Sequence, residues 1–278
     1  MHETASWTIT NDHGLEILGD THLLESPTAC AIILHGFKGY KDYGFIPVLA
    51  SMLADSGVLV HRFNFSTSGM TNDTATFARP DLFALDTWTR QVDDVRRVIR
   101  AVRSGELEGG GLPITLIGHS RGGATAILAG GRHADELGLA SISTINAVDR
   151  CCGLSEESQR ELLSVGRMFT ESARTKQRLR INSAWLREQL DNPAAHDVCA
   201  LAAQTGVPML VMHGDRDDAV DVQAGHNIAK CAKTSVRIIE GSNHVLNTTN
   251  PADRSESPSS QLMFVLANIR ELFEQRSK

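Results

Sequence analysis

The chain has 278 residues, of which 41% are hydrophobic and 22% charged, and a formal net charge of −6. That is enough apolar material for a sizeable core, usually within one domain at this length, while the acidic balance argues against a nucleic-acid partner. No run approaches the roughly 18 apolar residues of a membrane span, and "MHETASWTITNDHG" lacks the basic start and apolar segment of a secretory signal, so a cytoplasmic protein is expected.

In chain order, "SWTIT" and "LEILGDTHLL" read as a hairpin turning around Asn11–Gly14. "CAIILHG" is a buried strand ending at Gly36. Residues 44–56 form an amphipathic helix stopped by Gly57. "VLVHRFNF" is a strand, and residues 86–103 form a long helix with apolar residues at helical spacing. "EGGGLP" is a loop, "ITLIGHS" a strand, and the helix after it runs to about Ala129. "LASISTINAV", "VPMLVMHG" and "SVRIIEG" are strands, and a helix from about Ser260 to Glu274 closes the chain. "NTTNPADRSESPSS" is the polar loop before that helix. This alternation implies a mainly parallel sheet covered by helices on both faces.

The roughly 60 residues between Val148 and Pro208 far exceed one crossover helix. "SEESQRELLSVGRMF" reads as a helix with Ser155 as N-cap, "RTKQRLRI" as half of a hairpin, and "NSAWLREQL" as a second helix. The expectation is a single domain over 1–278 with a lid inserted at about 149–206. The five cysteines are few, scattered and odd in number, so all are expected as reduced thiols. Cys151 and Cys152, being adjacent, are the one candidate redox pair.

"LIGHSRGG", residues 116–123, carries the first sign of chemistry. A serine between a buried strand and a helix, in Gly118-x-Ser120-x-Gly122, is either a tight structural turn or a nucleophile. A nucleophile there needs small neighbours, because the turn is crowded and its backbone strained. The turn also aims the Arg121 N–H, at a helix N-terminus, toward a substrate carbonyl. A serine hydroxyl needs a base, and with this turn the order is serine, acid, histidine. His244 follows the last strand by a short loop. The loop after "VPMLVMHG" offers Asp215, Asp217 and Asp218.

From about Thr28 onward, "LHGFKG", "FNFSTSG", "GHSRGG", "HGDRDDAV" and "GSNH" resemble the alpha/beta-hydrolase superfamily. Within it, the chain is most similar to small bacterial carboxylesterases of the feruloyl or cinnamoyl type. The resemblance implies an α/β hydrolase fold and a Ser120–His244–Asp217 triad, with Asp217 aligned because Val220 follows three residues on. Asp215 and Asp218 are close substitutes, and Asp149 a distant one. It also implies a second oxyanion N–H from Phe37. Two positions depart from the pattern: Arg121 where glutamine is frequent, and Asn64 where aspartate is common. The implied activity is hydrolysis of small or medium carboxylic esters through an acyl-enzyme. A peptidase or amidase, an acyltransferase, a perhydrolase and a non-catalytic binding protein are the alternatives.

Lys38, Met168, Phe169 and Trp185 are candidates for substrate or lid contact; for the last three, packing inside the lid is the alternative. The cations of "RTKQRLR" are either a solvated hairpin face or an attraction for an anionic acyl group. His35, His119 and His213 read as structural neighbours of the site. No H-E-x-x-H or C-x-x-C occurs, so no metal is expected. "EGGGLP" precedes a strand instead of opening a helix, so it is no phosphate loop. No cofactor is expected, and the partner is a small-molecule ester.

Overall fold

Short apolar runs alternating with amphipathic stretches assemble into a sheet of eight strands. The computed structural model describes residues 2–252 and 257–275. β1 (Glu3–Thr10) and β2 (Glu16–Leu23) form an antiparallel hairpin. Its turn is held by Asn11 Oδ1, which accepts the His13 and Leu15 N–H groups at 3.0 and 2.9 Å. Next come β3 (Ala29–Leu34), α1 (Ile46–Ala54), β4 (Val58–Asn64), α2 (Pro80–Phe83) and α3 (Trp88–Ser104). β5 (Ile114–His119), α4 (Arg121–Arg132), α5 (Ala134–Leu137) and β6 (Ser141–Ile145) follow. The long connection holds α6 (Glu156–Val165), β7 (Arg167–Glu171), β8 (Arg178–Asn182), α7 (Ala184–Asp191), a 3-10 turn (Pro193–His196) and α8 (Val198–Ala202). β9 (Met209–Gly214), α9 (Val222–Cys231), β10 (Val236–Ile239) and α10 (Ser260–Glu274) complete the chain.

The strand order is β1-β2-β4-β3-β5-β6-β9-β10, and every pair from β4 to β10 is parallel. Alternate residues of β3 serve opposite faces, as a strand's period of two requires. Cys30, Ile32 and Leu34 join a core with Val95, Val98 and Ile99 of α3 and Ala124, Ile127 and Leu128 of α4. Ala29, Ala31 and Ile33 join a second core with Leu49 and Leu53 of α1 and Leu262, Val265 and Ile269 of α10. Among the described residues no helix is long and apolar enough to cross a membrane.

The core helix α3 is capped twice. Thr87 Oγ1 accepts the Arg90 N–H at 3.3 Å. Glu188, from α7 of the long connection, accepts the Trp88 N–H at 2.6 Å and the Thr89 N–H at 3.2 Å. A carboxylate at a helix N-terminus meets free N–H groups and the positive end of the macrodipole.

Three features differ from the sequence reading. Met168 and Phe169 lie in a strand, not a helix. Gly166 at φ +81° ends α6, and the alternating "RMFTE" then pairs antiparallel with "RLRIN". Helix α9 carries no apolar run long enough to announce itself; its N-cap is Asp221, which accepts the Gln223 N–H at 2.8 Å. The five cysteines are not all free thiols: Cys199 of α8 and Cys231 of α9 form a disulfide, with Cα atoms 5.5 Å apart. The two helices pack together across 32 residues of sequence, so nothing local forecasts the bond. Cys30, Cys151 and Cys152 are free, and burial pushes the Cys151 thiol up to about 12. The polar loop expected at 247–260 falls partly outside the described residues, at 253–256.

Candidate active site

Ser120 sits between β5 and α4 with φ 56° and ψ −123°. A non-glycine residue in that region costs on the order of 1–3 kcal/mol and persists only where its surroundings hold it. The surroundings here are backbone. A Cβ on Gly118 would run into the Gly122 carbonyl, and one on Gly122 would meet the Leu34 and His35 carbonyls at the end of β3. The Ser120 N–H donates to Ile145 O of β6 at 2.9 Å. The spacing of glycines in "GHSRGG" is therefore a packing requirement of the turn.

The structure brings Asp217 and His244 together across 27 residues. His244 Nδ1–H donates to Asp217 Oδ2 at 2.7 Å, which leaves Nε2 as the unprotonated ring nitrogen. Asp217 Oδ1 accepts the Ala219 and Val220 N–H groups, each at 2.9 Å. His213 Nε2 donates to Val220 O at 3.0 Å and lies 3.5 Å from Asp217 Oδ2. Burial pushes the Asp217 carboxyl up, but hydrogen bonding from His213 and His244 outweighs it and holds the group well below the usual carboxylate range. Among the described residues Ser120 Oγ has no hydrogen-bond partner, and none joins it to His244. Such contacts are often long before substrate binds.

The other candidate acids are committed elsewhere. Asp215 Oδ1 accepts the Gly241 N–H at 2.7 Å, and Asp149 pairs with Asn227 at 2.6 Å and Arg150 at 3.1 Å. Asp218 is exposed. His35 and His119 are buried and held as neutral rings. His35 Nδ1 donates to Gly36 O at 2.9 Å while Nε2 accepts the Phe65 N–H at 3.2 Å. His119 Nε2 donates to His244 O at 2.8 Å. Burial pulls His35 down to about 4 and His119 to about 3. Asn64 Oδ1 accepts the Lys41 N–H at 2.7 Å and its Nδ2 donates to Thr71 O at 3.4 Å, a donor and acceptor pair that an aspartate carboxylate does not offer.

A cavity of about 770 Å³ opens over Ser120. Phe37, Phe83, Trp88 and Arg121 border it near the serine, and Met168, Phe169, Thr170, Ile181 and Trp185 of the long connection also line it. Asp149, Gln223 and Asn227 supply a polar wall. Among the described residues, neither the Phe37 nor the Arg121 N–H has an internal acceptor. The two side chains pack together, with the Arg121 guanidinium 5.5 Å from the Phe37 ring centroid and 4.4 Å from that of Trp88.

Sequence reasoning missed the partner of Arg121. Its Nη2 lies 3.0 Å from Asp86 Oδ2, both side chains being buried. The N–H bonds are not aimed at the oxygen, so this is an ion pair by proximity without an aligned hydrogen bond. Asp86 also accepts from Thr67 Oγ1 at 2.8 Å and Gln91 Nε2 at 3.0 Å. Burial raises its pKa against the nearby Arg121 charge. Position 86 sits at the expected start of a helix, and nothing in the sequence joins it to position 121.

Lys38 does not line the cavity. Its Nζ donates to Thr170 Oγ1 at 3.3 Å and Glu171 O at 2.9 Å, tying the loop after β3 to the β7–β8 hairpin. The hairpin cations also stay out of the cavity: Arg178 lies 4.0 Å over the Phe169 ring and Arg174 stacks on Tyr40 at 5.0 Å. Among the described residues no group of three or more His, Cys, Asp or Glu is arranged to hold a metal ion.

The sequence profile of the alpha/beta hydrolase family matches residues 31–255, and the chain belongs to that family. No curated protein matches the sequence. Est1E from Butyrivibrio proteoclasticus, in its structure with bound ferulic acid, is similar over 98% of this chain and 100% of its own, at 19% identity and a TM-score of 0.71. The esterase domain of a Rhodothermus marinus protein covers 96% of each chain at 19% identity and a TM-score of 0.63. Mouse alpha/beta hydrolase domain-containing protein 10 covers 98% of this chain and 99% of its own at 16% identity and a TM-score of 0.67. At these identities the likeness is one of fold.

Proposed function

We propose that this hydrolase-family chain is a serine esterase cleaving small to medium carboxylic esters through an acyl-enzyme. The observation that carries the reading is a strained Ser120 opening into a cavity, beside a loop where Asp217 fixes the tautomer of His244 at 2.7 Å. In this mechanism His244 Nε2 takes the Ser120 proton as Oγ attacks the ester carbonyl. The Phe37 and Arg121 N–H groups bind the oxyanion, a role worth about 2.7–4 kcal/mol per donor. The imidazolium then protonates the leaving alcohol, and water, activated by the same histidine, releases the acid. Asp217 stays ionised throughout and stabilises the imidazolium.

The segment between β6 and β9 acts in this reading as the lid that selects the ester. Aromatic lining from Phe37, Phe83, Trp88, Phe169 and Trp185 favours a flat or apolar acyl group, and the ferulic acid bound to Est1E supports an aromatic acid as one candidate. A p-nitrophenyl ester series from acetate to long acyl chains, with methyl ferulate, tests the class in wild type and Ser120→Ala. The expected result is a short-chain or aromatic preference, lost in the variant. Retained activity in Ser120→Ala sinks the mechanism, and a peak on long chains or on peptides sinks the substrate class.

A further inference from the structure

Between the three candidate catalytic residues lies a fully buried side chain the mechanism does not use. Asn146, one residue beyond β6, has φ 51° and no exposed surface. Its Oδ1 accepts the Gly214 N–H at 2.8 Å, at the root of the loop that carries Asp217. Its Nδ2 donates to His244 O at 2.9 Å and lies 3.3 Å from Asn243 O. Its own N–H donates to Met212 O of β9 at 3.0 Å. The residue before it, Ile145, accepts the Ser120 N–H. One residue thus touches the acid loop and the base loop through its side chain, and adjoins the nucleophile's backbone anchor through its main chain.

We infer that Asn146 is a positioning residue that sets the Asp217–His244 pair at its working distance from Ser120. The inference rests on the serine-esterase reading. The acid and base loops are also bonded directly to each other, by Gly241 N–H to Asp215 Oδ1 at 2.7 Å and Arg216 N–H to Ser242 O at 3.1 Å. Without the Asn146 amide, those bonds still hold acid and base together as a unit. What is lost is the registration of that unit on the strand end beside Ser120. The remaining side-chain tie from the elbow is His119, whose Nε2–H shares the His244 carbonyl. Buried amides that satisfy every donor and acceptor in this way fix one geometry, because each broken bond leaves an unpaired polar group. The residue type also suits the backbone: asparagine tolerates the left-handed region better than most side chains.

The test uses Asn146→Gly, which removes the amide and keeps the backbone angle without strain. The readouts are the rate of Ser120 labelling by a fluorophosphonate, kcat and KM on p-nitrophenyl acetate, and the far-downfield proton resonance of the His244–Asp217 hydrogen bond. Labelling and kcat are expected to fall about 10- to 100-fold, the scale of a small misplacement of reacting groups. KM should change little and the downfield resonance should persist. Val98→Ala, in the core on α3, is the control: it lowers Tm and leaves labelling unchanged. If Asn146→Gly does not fold, Asn146→Asp carries the test, since it keeps the acceptor for Gly214 and turns an acceptor toward the His244 carbonyl; the same slowing is expected. A labelling rate within about twofold of wild type overturns the inference. Wild-type protein unlabelled at Ser120 overturns the esterase reading, and the inference falls with it.

Discussion

Ser120 and Met168 border the same cavity, but different forces hold them. Ser120 is fixed by backbone: two glycines that admit no Cβ, a strand-end hydrogen bond and a helix N-terminus. Met168 stands on a five-residue strand whose sheet partner is a single neighbour and whose outer residues are exposed. At Gly118 and Gly122 the frame admits no side chain without a backbone shift. The connection above it meets the frame through side chains, among them Lys38 on Thr170, Gln177 on the Phe77 N–H and Glu188 on the Trp88 N–H. In the proposed esterase, the difference would separate how reaction and selectivity are built: chemistry in the frame, choice of ester in the roof.

Breaking the frame should have the largest effect. Asp217→Asn is expected to lower kcat about 10⁴-fold, because the His244 ring loses the acceptor that sets its tautomer. Asp215→Asn and Asp218→Asn should stay within about tenfold of wild type on the same assay. A reversed order would move the acid to a neighbour.

Acid should sharpen the contrast next. Burial holds His35 and His61 down to about 4 and His119 to about 3, and none of the three lies in the long connection. An unfolded histidine titrates near about 6.5. Between those values the unfolded chain takes up protons that the folded chain refuses, so stability is present above about 6.5 and is lost as pH falls. Each group contributes a slope of up to about 1.4 kcal/mol per pH unit. His61 makes neutral-ring hydrogen bonds, with Thr21 Oγ1 at 2.7 Å and Glu108 O at 3.0 Å. His61→Gln should flatten the fall in stability between pH 7 and 5, measured by denaturant unfolding. An unchanged slope would show that His61 is not one of the acid-sensitive groups.

Changes in the roof should act on substrate choice. Trp185→Ala is expected to raise KM for aromatic esters about tenfold with kcat nearly constant, since only apolar contact is lost. A fall in kcat with KM unchanged would place Trp185 in the transition state instead. The smallest effect belongs to Lys38→Met. Loss of two partly exposed hydrogen bonds should lower Tm by no more than about 3 °C and kcat/KM by less than about threefold. A larger fall in kcat/KM would mean that the hairpin tether controls the loop carrying Phe37.

The frame was legible because its constraints are local. "GHSRGG" needs its glycines within a few residues of Ser120, and "RIIEGSNH" ends a strand just before His244. The order of apolar runs was enough to forecast a mainly parallel sheet with helices on both faces. What escaped reading depends on distant pairs. Arg121 meets Asp86 across 35 positions, Cys199 meets Cys231 across 32, and Glu188 meets Trp88 across 100. Met168 and Phe169 hide their strand because "SEESQRELLSVGRMF" is helical at its start, and the left-handed Gly166 that ends the helix sits inside the same apolar pattern.

The Glu188 cap bears on how the cavity admits anything bulky. α7 holds the first two N–H groups of a core helix, so lifting it as a body would strip that cap, at about 0.5–2 kcal/mol, while unpacking Leu186 from its buried place. The β7–β8 hairpin is fastened as well: Leu179 is fully buried beside Tyr40, Met70, Phe77 and Phe83, and Gln177 accepts the Phe77 N–H at 2.7 Å and donates to Phe77 O at 3.2 Å. In the proposed esterase the roof is therefore riveted at both α7 and the hairpin, and lifting either edge to admit a bulky ester would break buried contacts.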